Sequence, residues 1–194
     1  MESVQPIKSD SQIKKMMKIL DDQNPRDALM FRLGLNTILR ISDILRLKVK
    51  DVIYVDGSFR EYLSLFEAKT KNKSSRTRKK IKLNSMIRDQ IKNYIKLFNL
   101  EQDDYLIFSM RDPDRPLDRV QAWRILKKVA EIVGVKNFGT HSMRKTLAWR
   151  VYKQSKDLSL VMHLLNHKSP EHTLRYIGIV QESVDNVYED FAIV

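Results

Sequence analysis

The sequence predicts a mainly α domain with a small three-stranded antiparallel β-sheet, an α+β arrangement. Three observations predict it. Apolar residues recur at helical spacing near the start of the chain and again from residue 84 onward. Between those stretches lie three short runs with strand character, at residues 51–55, 62–66 and 79–83. The length, 194 residues and 22.9 kDa, suits one domain with at most a small appendage, and is enough to bury a sizeable core without staples.

Each element has a local reason. Asp10 or Ser11 caps a first helix through Leu20, with Ile13, Met16, Met17 and Leu20 on one face. Pro25 opens a second helix running to Leu35. Ser42 caps a short third, ISDILRLK. Asp56-Gly57 marks a tight turn between the first two strands, and a basic loop from Lys69 to Arg78 separates the second from the third. Met86, Ile87, Ile91, Tyr94, Ile95 and Phe98 then trace a helical face, and RDPDRP at 111–116 is a loop. Helices are expected over 118–133, 142–154 and 158–165. Pro170 opens another that carries Tyr176, and Gly178 ends it. Val184, Val187, Tyr188 and Phe191 place an apolar stripe on a last short helix.

Composition narrows the function. Lysine and arginine number 36 against 24 aspartate and glutamate, giving a formal charge of +12. Such a chain attracts polyanions, with nucleic acid first and an acidic membrane surface second. The absence of cysteine excludes a disulfide scaffold, a thiolate metal site and a cysteine nucleophile. MESVQPIKSD contains no apolar signal core, and no run approaches the roughly 18 apolar residues of a membrane span. A cytoplasmic, DNA-associated protein is the expectation.

Several residues could carry chemistry. In THSMR, His141 and Arg144 share a face at a helix start, where free backbone N–H groups already favour phosphate. In LLNHKSPEHTLRY, His167 precedes a turn and Tyr176 follows nine residues later. Tyrosine is an oxygen nucleophile once deprotonated, which at neutral pH requires cationic surroundings. Arg40 precedes the short third helix. The stretch EAKTKNKSSRTRKKIK holds eight basic residues and one acid, with Lys69 at a strand end and Lys71, Lys73, Arg76 and Arg78 placed to track a phosphate backbone. Taken singly, each of these reads as an ordinary surface or core residue. His163, His167 and His172 raise a zinc site, but H-E-x-x-H is absent and Ser169-Pro170 breaks the helix between the last two.

Taken in order, Arg40, Lys69, His141-x-x-Arg144, His167 and Tyr176 resemble the tyrosine recombinase (phage integrase) family, from about Ser9 to Ile179. TILRISDILRL resembles its first arginine box, AKTKNKSSRTRKKIKL its lysine-bearing hairpin, GTHSMRKTLAWR its H-x-x-R box, and LLNHKSPEHTLRYIGI its second histidine box with the tyrosine. Three positions depart from the pattern. Ile38 and Asn166 stand where glycines are usual, and Asp43 where glutamate is.

The resemblance implies the catalytic-domain fold of that family over residues 1–179 and a docking segment over 180–194. The family's N-terminal core-binding domain is expected to be absent from this chain. It also implies a site-specific recombinase of mobile-element type. Tyr176 attacks a DNA phosphodiester to give a 3′-phosphotyrosine, Arg40 and Arg144 clamp the phosphate, and His167 adds a hydrogen bond. Lys69 protonates the leaving 5′-oxygen, and His141 assists proton transfer or braces the phosphate. Neither metal nor ATP is required. The partners are double-stranded attachment sites and, on DNA, three further copies of a chain that is a monomer when free. The alternatives are a type IB topoisomerase-like enzyme, a non-cleaving DNA-binding relative, and a membrane-surface or RNA-binding protein.

Overall fold

The computed structural model describes residues 4–65 and 79–179. The expectations for Phe66, for Lys69 through Arg78 and for the stripe beyond residue 179 lie outside them. Nine helices and two strands follow in order among the described residues.

Helix α1 (Asp10–Gln23) is capped by Ser9, whose hydroxyl accepts from the Gln12 N–H, one or two residues earlier than the sequence suggests. It buries Met16 and Leu20. Asn24 caps α2 (Pro25–Asn36) by accepting from Arg26 N–H. α2 is buried nearly all round and forms the central rod, packing on α1, α5 (Ser85–Phe98), α6 (Arg119–Val133) and α7 (Thr140–Ser155). Its first turn carries a charge pair inside the protein. Arg26 donates to Asp27 Oδ1 at 2.7 and 2.9 Å and to the Phe108 carbonyl at 3.0 Å, so the pair is hydrogen-bonded as burial demands.

The sheet differs from expectation. Among the described residues only β1 (Tyr62–Leu65) and β2 (Lys79–Lys82) pair, antiparallel, with Leu63 opposite Ile81. The segment read as the first strand instead begins in a helical turn, α4 (Val49–Val52), which follows the short α3 (Ile41–Ile44). Its hydrogen bonds are local: Asp51 N–H to the Lys48 carbonyl, Ile53 N–H to Val49, and Lys48 N–H to the Asp51 carboxylate. Val49, Val52 and Ile53 are buried at spacings of three and one, a helical rather than a two-residue period. The Asp56-Gly57 turn does form, with Gly57 at φ +80° and Ile53 bridged to Phe59, but the bridge extends no further.

α7 begins at Thr140, two residues earlier than expected. The Ser142 N–H bonds the Gly139 carbonyl, and the Ser142 hydroxyl accepts from Gly139 N–H. α8 (Leu158–Leu165) and α9 (Pro170–Ile177) pack on α7 and on each other. Among the described residues two apolar clusters result. The large one lies around α2, and a small one holds Ile38, Ala148, Val161, Leu165, Ile177 and Ile179. α7 joins them, with Met143 in the first and Ala148 in the second. No described helix is long and apolar enough to cross a membrane.

Candidate active site

The site forms where the turn after α2, the start of α7, the end of α8 and helix α9 converge. Thr37 ends α2, its hydroxyl bonding the Leu33 carbonyl at 2.6 Å. Ile38 then takes φ +55°, a left-handed conformation that a β-branched residue seldom adopts. That kink places Arg40 at the N-cap of α3, where its carbonyl accepts from Asp43 and Ile44. Arg40, not the expected Ser42, is therefore the cap. Asp43 is buried beneath it and pairs with Arg46 at 3.1 Å.

Arg40 and His141 line one open groove of about 670 Å³, together with Ser42, Arg119, Trp123 and Thr140. His141 is exposed to it. Arg144, one turn further along α7, is buried; one of its terminal nitrogens donates to the Leu165 carbonyl at 3.0 Å. Its charge also bears on the Tyr176 hydroxyl, favouring the phenolate.

The end of α8 is set by Asn166 at φ +57°. Its N–H and that of His167 return to the carbonyls of His163 and Met162, which turns the chain and faces the His167 ring toward α9. His167 Nδ1 lies 3.2 Å from the Thr173 hydroxyl, which itself donates to the Ser169 carbonyl at 2.8 Å. The hydroxyl has one proton, and it is committed. Nδ1 must therefore carry the donating hydrogen, which leaves Nε2 bare in the neutral ring. The ring meets Tyr176 edge to face, centroids 5.1 Å apart and 87° between planes.

Electrostatics tie the group together. Burial, then His172, Arg144 and Arg40, push His167 down to about 4, so it is neutral at pH 7. Burial raises the Tyr176 phenol above its ordinary value, opposed by Arg144 and Arg40. Arg40 and Arg144 thus act on both residues. Lys145 sits 4.8 Å from the Tyr176 ring centroid, and Lys79 Nζ bonds the Leu164 carbonyl at 2.6 Å beside the same turn.

Of the residues expected from sequence, Arg40, Arg144, His167 and Tyr176 come together, and His141 joins through the groove. Lys69, Lys71, Lys73, Arg76 and Arg78 lie outside the described residues. Sequence reasoning missed Arg119 and Trp123, whose signal was an arginine and a tryptophan one turn apart on a helix's polar face. It also missed Lys79 and Lys145, which nothing in the sequence distinguished from other lysines. Among the described residues no group of three or more His, Asp or Glu is placed to hold a metal ion.

Comparison with known proteins places the whole chain in a family. Residues 9–182 match the Phage integrase family, and the chain belongs to that family, the tyrosine recombinases. It is 38% identical over 191 residues to the probable integrase/recombinase YoeC of Bacillus subtilis (strain 168), covering 98% of both chains. It spans 60% of the tyrosine recombinase XerA of Pyrococcus furiosus, at 24% identity. The crystal structure of XerA recombinase superposes with a TM-score of 0.71 over 98% of this chain and 65% of that one, at 17% identity. A lambda integrase tetramer bound to a Holliday junction gives 0.65, at 18% identity, over 91% of this chain and 49% of that one.

Proposed function

We propose that this chain cleaves and rejoins DNA at defined sites through Tyr176. The observation that carries the reading is the convergence on Tyr176 of buried Arg144, Arg40 and the His167 ring, whose centroid lies 5.1 Å from that of the phenol. The Tyr176 oxygen attacks phosphorus in line. The oxygen–phosphorus bond forms as the bond to the 5′-oxygen breaks, leaving a 3′-phosphotyrosine and a free 5′-hydroxyl. Charge on the non-bridging oxygens falls to Arg40 and Arg144, whose planar forks suit phosphate. His167 bonds the same phosphate, and His141, at the groove, assists the proton of Tyr176 or braces the phosphate. Family resemblance assigns protonation of the 5′-oxygen to Lys69, and the run of basic charge suits Lys71, Lys73, Arg76 and Arg78 to tracking the phosphate backbone. The bond energy is stored in the phosphotyrosine, so attack by a partner strand's 5′-hydroxyl rejoins DNA without ATP, and the fixed cations take the place of a metal.

Residues 1–179 serve as the catalytic domain and 180–194 as a docking segment for a neighbouring copy in a tetramer on DNA. The likeness in fold to lambda integrase, which forms a tetramer on a Holliday junction, supports that assembly. The test is incubation with nicked suicide duplexes carrying candidate attachment sites, scored for a covalent adduct. Wild type forms the adduct and Tyr176→Phe, which removes one oxygen and little volume, does not. An adduct of normal yield in that variant overturns the assignment and turns attention to Tyr188. Relaxation of any plasmid by a monomer, without site preference, would favour a topoisomerase-like enzyme.

A further inference from the structure

Lys145 is an anomaly by ordinary rules of burial. It is 8% exposed, yet no carboxylate among the described residues pairs with it. A lysine so placed is uncommon unless it is paired. Its ammonium makes two contacts. It donates to the Val4 carbonyl at 2.6 Å, and it lies 4.8 Å from the centroid of the Tyr176 ring.

We propose that Lys145 is a positioning residue for Tyr176, an ammonium anchored on the Val4 carbonyl that holds the phenol ring and favours its anionic form. This rests on the reading of Tyr176 as nucleophile. A cation within about 6 Å of an aromatic centroid is attracted by the ring's electron density, and a phenolate offers more of it than a phenol. The contact therefore strengthens as the tyrosine loses its proton.

The anchor is itself fixed. Gln5 N–H bonds the Asn137 carbonyl at 3.1 Å, and Ile7 N–H bonds the Thr146 hydroxyl at 2.7 Å, with Ile7 buried. The same segment closes on the far end of α9. A Cβ added at Gly178 would stand 2.9 Å from the Gln5 side-chain oxygen, and Gly178 is two residues after Tyr176. Residues 4–7 thus lie against the turn that ends the tyrosine helix and, through Lys145, reach its ring.

The other groups bearing on the phenol are Arg40 before α3, Arg144 on α7, His167 after α8 and His172 on α9, the last two by ring contact. The test must read one charge against that background. 3-Fluorotyrosine is placed at position 176 of the full chain, and its ¹⁹F resonance is titrated without DNA in wild type, Lys145→Met, Lys145→Gln and Lys145→Arg. The ionisation midpoint rises by about one pH unit in the Met and Gln variants, the scale of one nearby charge, and returns toward wild type in Lys145→Arg. The pH profile of adduct formation moves in parallel. Lys145→Gln keeps a donor for the Val4 oxygen, so it reads the charge even where the Met variant fails to fold. An unchanged midpoint in a folded Lys145→Gln protein overturns the proposal. Wild type that shows the ¹⁹F coupling but forms no adduct keeps the Lys145–Tyr176 link and discards Tyr176 as nucleophile instead.

Discussion

Arg144 uses one guanidinium for two tasks, holding the Leu165 carbonyl and favouring the anionic form of Tyr176. Replacing it by alanine should raise the cleavage barrier by about 3 kcal/mol or more, as loss of one oxyanion donor does. It should also lower the melting temperature, because a buried carbonyl loses its partner. Arg40→Ala should match the kinetic loss with less effect on melting, since Arg40 is only half-buried. Single-turnover cleavage and thermal melts separate the two. His167 supplies a pH signature. Its folded pKa near 4 lies below the ordinary 6.5, so between those values the unfolded chain binds a proton that the folded one refuses. Stability therefore falls as pH drops from 6.5 toward 4, and His167→Gln removes that slope in melting curves. If His167 bonds the phosphate as proposed, that phosphate would offset the surrounding cations and let Nε2 take up a proton, becoming the donor a phosphate oxygen needs. Calorimetry of DNA binding in two buffers of different ionisation enthalpy should show net proton uptake in wild type and none in His167→Gln.

Two elements carry the site by backbone shape rather than by side-chain chemistry. The turn after α2 and the end of α8 both require a left-handed residue, and this chain uses Ile38 and Asn166 there. Asn166 is exposed and tolerates the conformation, so Asn166→Gly should be neutral or stabilise by a few tenths of a kcal/mol. Gly34 is the opposite case: a Cβ there would stand 2.4 Å from Met143 sulfur, where α2 meets α7. Gly34→Ala should destabilise by about 1–3 kcal/mol, the range for overpacking a core. Denaturant midpoints of both variants check the pair. These details bear on what is legible in advance. The helices are legible because their apolar spacing and caps are local, as at Pro25, Asp118 and Gly178. The strand expected at 51–55 fails because Val49 lies outside that window, and including it turns a two-residue period into a helical one. Arg40, His141, Arg144, His167 and Tyr176 are legible as an ordered set. Lys145 is not, because its meaning comes from a carbonyl 141 residues away in sequence.

At the scale of the molecule, a charge of +12 makes DNA affinity steeply salt-dependent, whatever the target sequence. Assembly depends on something else. The proposed docking segment begins within a few residues of Tyr176, so its seating on a neighbour would bear on α9. Deleting residues 183–194 should weaken assembly on an attachment-site duplex and alter cleavage while the fold survives. Sedimentation of both proteins on that duplex decides it, and identical multimers with identical rates would return the segment to packing within its own chain.

The division into two apolar clusters has a consequence for how this protein breathes. Among the described residues, thirty buried ones share the cluster around α2, while six hold α8, α9 and the outer part of α7. A unit with so little buried surface can come loose while the rest stays folded. Native-state hydrogen exchange should show this directly. Amides of α8 and α9 should exchange through a sub-global opening, well before those of α2 and α6, which wait for global unfolding. The helix bearing Tyr176 would then be able to swing away from the body with its cationic frame left standing. A covalent strand attached to that tyrosine could shift between partners in the same way, at a free-energy cost far below that of unfolding the domain.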